Sequence, residues 1–286
     1  MRCPLWRPTT LFSFLHPVLL PHQPNLQLST MSSNTKLLLV ILPGAFHTPE
    51  SYRRITEPLL SKGYEVLAVD YLVTARSSEP DPNPTLSFID DAAALREKLI
   101  PLFNEGREAV LISHSYGSLP ATHTAVGQTT VERNERGERG GVAAVINIAG
   151  FAFPARGRNI MGEESETPTM PYQVVENGIT HLRPTAKPLF FSGLPQEDVD
   201  AEWERLALKQ TRKSMTDFPE YIESEIQCPK TYILCEEDQA VPPAFQEHMA
   251  GVGGYKVVRV KSGHSPFLSI PGEIVRIVED VVGKLP

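Results

Sequence analysis

Ser115 stands in the run Ser113-His114-Ser115-Tyr116-Gly117, after the apolar residues Ala109 to Ile112 and before a stretch of small, helix-compatible residues. A serine hydroxyl is almost inert near neutral pH, so one that attacks an acyl carbon needs a base, and the base needs an orienting acid. The pattern predicts a strand that turns sharply into a helix, with Ser115 in a strained backbone conformation at the turn. Residues two before and two after must then be small, and Ser113 and Gly117 are.

Histidine is the natural base, because its pKa lies near the working range. His264, in Lys261-Ser262-Gly263-His264-Ser265-Pro266, falls in a loop directly after the last predicted strand. His114 adjoins Ser115 but should point away from it, and His123 and His248 fall on helices; these three read as surface or packing histidines. For the acid, Asp238 sits just past the penultimate strand in Cys235-Glu236-Glu237-Asp238. Spacing does not separate it from Glu236 and Glu237, and Glu237 is the reserve. Asp70 ends an earlier strand and reads as structural or as part of a substrate loop. An oxyanion would need backbone N–H donors, which can lower the barrier by a few kcal/mol. Tyr116 supplies one, and Ala45, in the loop Pro43-Gly44-Ala45-Phe46, the other.

The elements that must position these residues alternate. Lys36 to Leu42 is an unbroken apolar run of strand length, the mark of a strand buried on both faces. Glu50 to Lys62 predicts a helix, Tyr64 to Tyr71 a strand, and Thr85 to Phe103 a helix with Thr85 as its N-cap. Thr129 to Gly141 is dense in charge and reads as a solvated loop. Val142 to Ile148 and Lys230 to Cys235 predict strands, Pro243 to Ala250 a helix, Tyr255 to Val260 a strand and Pro271 to Val282 a helix. This rhythm predicts an α/β fold, a mostly parallel sheet covered on both faces. Phe151 to Ile226 breaks it, rich in proline, with no obvious central strand and a helix-like stretch from Asp198 to Thr211. An insertion there reads as a cap over the carboxyl edge of the sheet.

Of 286 residues, 41% are hydrophobic and 21% charged, which suits one domain with an embellishment. A net charge of -7 leaves no basic footprint for nucleic acid. Cys3, Cys228 and Cys235 have no metal-ligand spacing and form an odd set, so a reducing, cytoplasmic setting is expected, with no metal. No run reaches the ~18 apolar residues of a membrane span. Residues 1–34 predict a disordered extension rather than a secretory signal, with Met31 an alternative start, and 35–286 a domain whose cap spans about 151–226.

The order Ser115, Asp238, His264, with an oxyanion loop ahead, resembles the α/β-hydrolase superfamily over residues 36 to 285. LPGAFHTPESY, ISHSYGS, CEEDQAVP and SGHSPFLSIP carry the resemblance, which is nearest to the branch of plant methylesterases and hydroxynitrile lyases and their bacterial and fungal esterase relatives. Members usually have histidine where Pro43 stands. The lyases carry lysine after the catalytic histidine and threonine in place of Gly44, so Ser265 and Gly44 disfavour cyanohydrin cleavage. The resemblance implies a cofactor-independent serine hydrolase acting on an ester or lactone of a small apolar molecule. A lyase, cyclase or decarboxylase on the same fold is the alternative, and a hydrolase-like ligand receptor another. Tyr172, His181, Phe190, Phe191 and Trp203 are cap aromatics that either line a pocket or pack.

Overall fold

A computed structural model describes residues 37–285. The expected extension over residues 1–34, the alternative start at Met31 and Cys3 lie outside the described residues. In chain order the first half carries β1 (Leu37–Leu42), α1 (Arg53–Ser61), β2 (Glu65–Ala68), β3 (Thr74–Ala75), α2 (Phe88–Asn104), β4 (Glu108–His114), α3 (Ser118–Ala125), α4 (Thr130–Glu135) and β5 (Gly141–Ile148). The segment that follows holds β6 (Gln173–Glu176), β7 (Ile179–Leu182), α5 (Lys187–Phe190), α6 (Gln196–Trp203), β8 (Lys209–Thr211) and α7 (Lys213–Thr216). The chain ends with β9 (Lys230–Cys235), α8 (Pro243–Gly253), β10 (Lys256–Val260), α9 (Pro266–Ser269) and α10 (Pro271–Val282).

The main sheet has six strands in the order β10-β9-β5-β4-β1-β2, and every pairing in it is parallel. β1 is apolar throughout, and β4, β5 and β9 carry apolar runs at 109–112, 142–146 and 232–235, because neither face of the sheet meets water there. Side chains alternate between faces, so Leu39, Ile41, Val110 and Ile112 pack with Ile55 and Leu59 of α1 and Ile274 and Val278 of α10. Leu38, Val40, Ala109 and Leu111 enter the opposite layer with Leu95 and Leu99 of α2 and Leu119 of α3. From β1 the chain runs outward to β2 and then returns to place β4 on the other side of β1. The loops leaving β1 and β4 therefore diverge, and open α/β sheets bind ligands in the crevice so formed.

Three local expectations change. α2 is capped by Ser87, whose Oγ accepts from Ile89 N at 3.2 Å while Asp90 accepts from Ser87 N at 2.7 Å. Thr85 instead spends its hydroxyl on Asn83. The charged stretch from Thr129 is not a solvated loop: Thr129 caps α4, and Arg133 is buried, donating to Gln128, Asn104 and the Arg139 carbonyl. The proline-rich insertion also holds strands. β8, β7 and β6 form a four-stranded sheet with β3, which comes from the loop after β2. In the stretch read as helix-like from Asp198 to Thr211, helix α6 stops at Trp203 and Lys209–Thr211 is strand.

Candidate active site

β4 delivers Ser115 to the crevice. Its φ is 48°, in the left-handed region that non-glycine residues avoid, and such strain persists only where the surroundings enforce it. Gly117 makes the turn possible, because a Cβ there would lie 2.3 Å from the Leu42 carbonyl oxygen. Ser113 is buried, donating to the Ile146 carbonyl at 3.3 Å. The 3₁₀ turn Ser115–Gly117 then leads into α3.

The loop after β1 is held by its own N–H groups. Gly44 N donates to Tyr52 Oη at 2.8 Å, Phe46 N to Gln210 Oε1 at 2.9 Å, and His47 N to the Gly44 carbonyl at 3.1 Å. Ala45 N alone of these four has no partner among the described residues. Phe46 has φ 62°, and Ala207 N donates to its carbonyl at 2.7 Å, so β8 and the turn before it clamp this residue from both sides. Tyr116 N lies in the first turn of a helix, where N–H groups lack an intrahelical acceptor.

Asp238 and His264 meet across the ends of β9 and β10. His264 Nδ1 donates to Asp238 Oδ2 at 2.7 Å. Asp238 Oδ1 also accepts from Ala240 N and Val241 N, each at 2.8 Å, and Oδ2 from Gln246 Nε2 at 3.0 Å. The carboxylate is thus held by donors on two sides, and with Nδ1 engaged the second ring nitrogen of His264, Nε2, remains for chemistry. Glu236 and Glu237 are exposed, which separates them from buried Asp238 where spacing did not. Asp70 and His248 are exposed as well.

Ala45, Ser115, Tyr116 and His264 line one cavity of about 480 Å³, within the range of small-molecule sites. Asp238 is behind the imidazole rather than in that wall. Ser115 and His264 share no hydrogen bond in this structure; such contacts commonly tighten only when substrate arrives. Tyr172 and Phe190 line the cavity too, whereas His181, Phe191 and Trp203 do not. Phe191 and Trp203 are core residues.

Several residues that matter here carry no signal in the sequence. His114 is buried, as the packing reading has it. Tyr52 Oη donates to its Nδ1 at 2.7 Å, and its Nε2 donates to the His264 carbonyl at 2.9 Å. A hydrogen-bonded chain therefore joins Gly44, Tyr52, His114 and the backbone of His264. A Cβ on Gly44 would sit 2.6 Å from His114 Nδ1 and break it. Burial holds His114 well below its ordinary pKa, so it stays neutral and can accept and donate at once. His47, buried among Phe190, Phe267 and His114, is lowered to about 4 for the same reason. Tyr116 Oη donates to Asp91 at 2.9 Å, and Asp91 also accepts from Leu72 N. Burial raises Asp91 to about 7 against those hydrogen bonds. His123 is another packed histidine, bonded to the Leu119 carbonyl and accepting from Glu220 N.

Among the described residues no cluster of three His, Cys, Asp or Glu side chains could hold a metal ion, and no helix is long and apolar enough to cross a membrane. Residues 39–277 match the model of the alpha/beta hydrolase family. The chain is 31% identical over 252 residues to the alpha/beta hydrolase nvfD of Aspergillus novofumigatus, spanning 87% of this chain and 98% of that one. The crystal structure of methylesterase MES16 from Arabidopsis superposes with a TM-score of 0.66 at 16% identity, covering 87% of this chain and 100% of the other. Polyneuridine aldehyde esterase does so with a TM-score of 0.66 at 18% identity, covering 86% and 99%. At such identities both likenesses concern the fold.

Proposed function

Because the chain belongs to the alpha/beta hydrolase family, we propose that it is a serine hydrolase cleaving an ester or lactone bond of a small, largely apolar molecule. The observation that carries this reading is the convergence on one cavity of a strained Ser115, an unspent Ala45 N–H and a His264 ring already bound to Asp238. Ser115 Oγ attacks the acyl carbon and passes its proton to His264 Nε2, while Asp238 holds the Nδ1 proton and stabilises the imidazolium. The carbonyl electron pair moves to oxygen, where Ala45 N–H and Tyr116 N–H receive it. As the intermediate collapses, His264 returns the proton to the departing alkoxide. A water molecule then repeats the cycle on the acyl-enzyme, releasing the acid and Ser115.

Segment 151–226 serves as the cap, since Phe151, Ile160, Met170, Tyr172 and Met215 supply cavity wall. Those side chains give the site its apolar character, and the free thiols of Cys228 and Cys235 suit a reducing, cytoplasmic setting. The test is turnover of 4-nitrophenyl esters together with labelling by a fluorophosphonate. Ser115→Ala should lose both while melting like the parent; hydrolysis that survives in that variant removes Ser115 from the mechanism.

A further inference from the structure

Among the described residues lining the cavity, Arg212 carries the one permanent positive charge. It sits where β8 gives way to α7, fixed by its own N–H donating to the Gly178 carbonyl at 2.8 Å. The same wall includes the apolar Met170 and Met215, the ring of Tyr172 and the polar Thr167 and Gln173. A guanidinium in apolar surroundings costs free energy unless negative charge answers it. What the protein offers is small. Nη2 donates to the Thr167 carbonyl, and the Glu166 carboxylate stands 3.9 Å off, with its own side chain 73% exposed. A long pair with so open a partner is weakly bound and screened by water. Asp217 also lines the cavity, but it is paired with Lys213 at 3.0 Å and accepts from Phe218 N at 3.1 Å. An arginine has five N–H donors, and beyond the Nη2 bond those of Arg212 find no acceptor among the described residues.

We propose that Arg212 is an anion-recognition point in the cavity wall, so that the preferred substrates are apolar esters or lactones that also carry a carboxylate. The planar fork of a guanidinium matches a carboxylate through two parallel N–H···O bonds, and in an apolar cavity such a pair is strong. The direction of the Arg212 pKa agrees: burial pulls it below the ordinary arginine value, with Glu166 only opposing the shift. The word substrate rests on the hydrolase reading above; the anion site itself rests on the cavity and the unspent donors.

The experiment compares 4-nitrophenyl half-esters of dicarboxylic acids, from succinate to sebacate, with neutral 4-nitrophenyl esters of matched length. At the length that spans the cavity, kcat/KM should favour the half-ester by about tenfold to a hundredfold, the worth of a charge-assisted hydrogen bond. Arg212→Met should bring that ratio to about one, and Arg212→Lys, which keeps the charge and loses the fork, should fall between. Arg212→Gln, still able to donate to the Thr167 carbonyl, replaces the methionine variant if that one does not fold. A parent enzyme that prefers the neutral ester at every length overturns the proposal, and so does a preference untouched by substitution. Either result would leave Arg212 as a tie between the segment around Thr167 and the second sheet. If no ester of either series is turned over, the hydrolase reading fails by itself. Calorimetric titration of straight-chain carboxylates against the matching primary amides then decides. Tighter binding of the acids by about tenfold, lost in Arg212→Met, supports the anion site; equal affinities overturn it.

Discussion

Gln210 never touches the cavity, yet the proposed oxyanion hole depends on it. Its side chain is fully buried, accepting the Phe46 N–H at 2.9 Å and donating to Ser214 Oγ at 3.0 Å. Phe46 is held at φ 62°, a conformation costing about 1–2 kcal/mol for a residue with a side chain. Gln210→Met keeps roughly the same bulk and removes the acceptor. The orphaned N–H then costs about 1–3 kcal/mol in the folded loop, comparable to the strain, so the loop gains by relaxing and Ala45 N–H swings off target. Losing one oxyanion donor lowers kcat by about 10²–10³, which bounds the effect. We expect kcat to fall about a hundredfold. KM should change little, because Gln210 is absent from the cavity wall. Steady-state kinetics on a 4-nitrophenyl ester, with a melting curve for each protein, reads the split. A variant that melts like the parent and keeps kcat within about twofold refutes the argument, since the full loss of a donor is far larger.

Asp238→Asn keeps the shape of the His264 partner but not its charge, and should lower kcat by about 10⁴ with ligand affinity retained, as measured by kinetics and by titration with a product acid. Glu223 is buried between Thr122, which donates to it at 2.9 Å, and Phe153 N, which donates at 2.7 Å; burial raises its pKa to about 7. The folded state then binds a proton that the unfolded chain has released between the ordinary glutamate value of 4.5 and about 7, so this group destabilises the fold progressively as pH rises through that window. Glu223→Gln should therefore melt higher than the parent at pH above 7 and lose the advantage below the carboxylate range, as calorimetry across pH will show. His47 and His123, both lowered to about 4, act in the opposite sense, removing stability as pH falls from 6.5 toward 4.

The main sheet was legible because strands covered on both faces are written as continuous apolar runs, and Leu37–Leu42 and residues 142–146 are such runs. The strained turn at Ser115 was legible because the close passage of the chain over β1 demands glycine at 117, which leaves a mark in the sequence. Asp238 and His264 could be placed at strand ends with Asp238 preferred, but setting Glu237 aside took a fact of three dimensions: Asp238 points in among N–H donors and Glu237 is exposed. Gln210 and Gln246 were invisible. Their value lies in partners remote along the chain, 164 residues away for Gln210 and Phe46, or in a turn whose shape has no periodic signature. The second sheet was hidden by the shortness of its strands and by the entry of β3 from elsewhere. Arg133 shows the limit of charge density as a guide, since a stretch full of ions can still bury one.

The roof over the imidazole is tethered to the imidazole's own loop. Ser265 Oγ donates to the Phe190 carbonyl at 2.8 Å, and Gly263 lies so tight against Ser192 that a Cβ would come within 2.1 Å of its Oγ. Prising α5 upward to admit a bulky guest would drag His264 from its carboxylate and disarm the proposed proton relay. Enlarging the doorway, by evolution or by engineering, has to begin elsewhere, and Met161 and Met170, 55% and 40% exposed on pliant thioether arms, are the side chains free to give way.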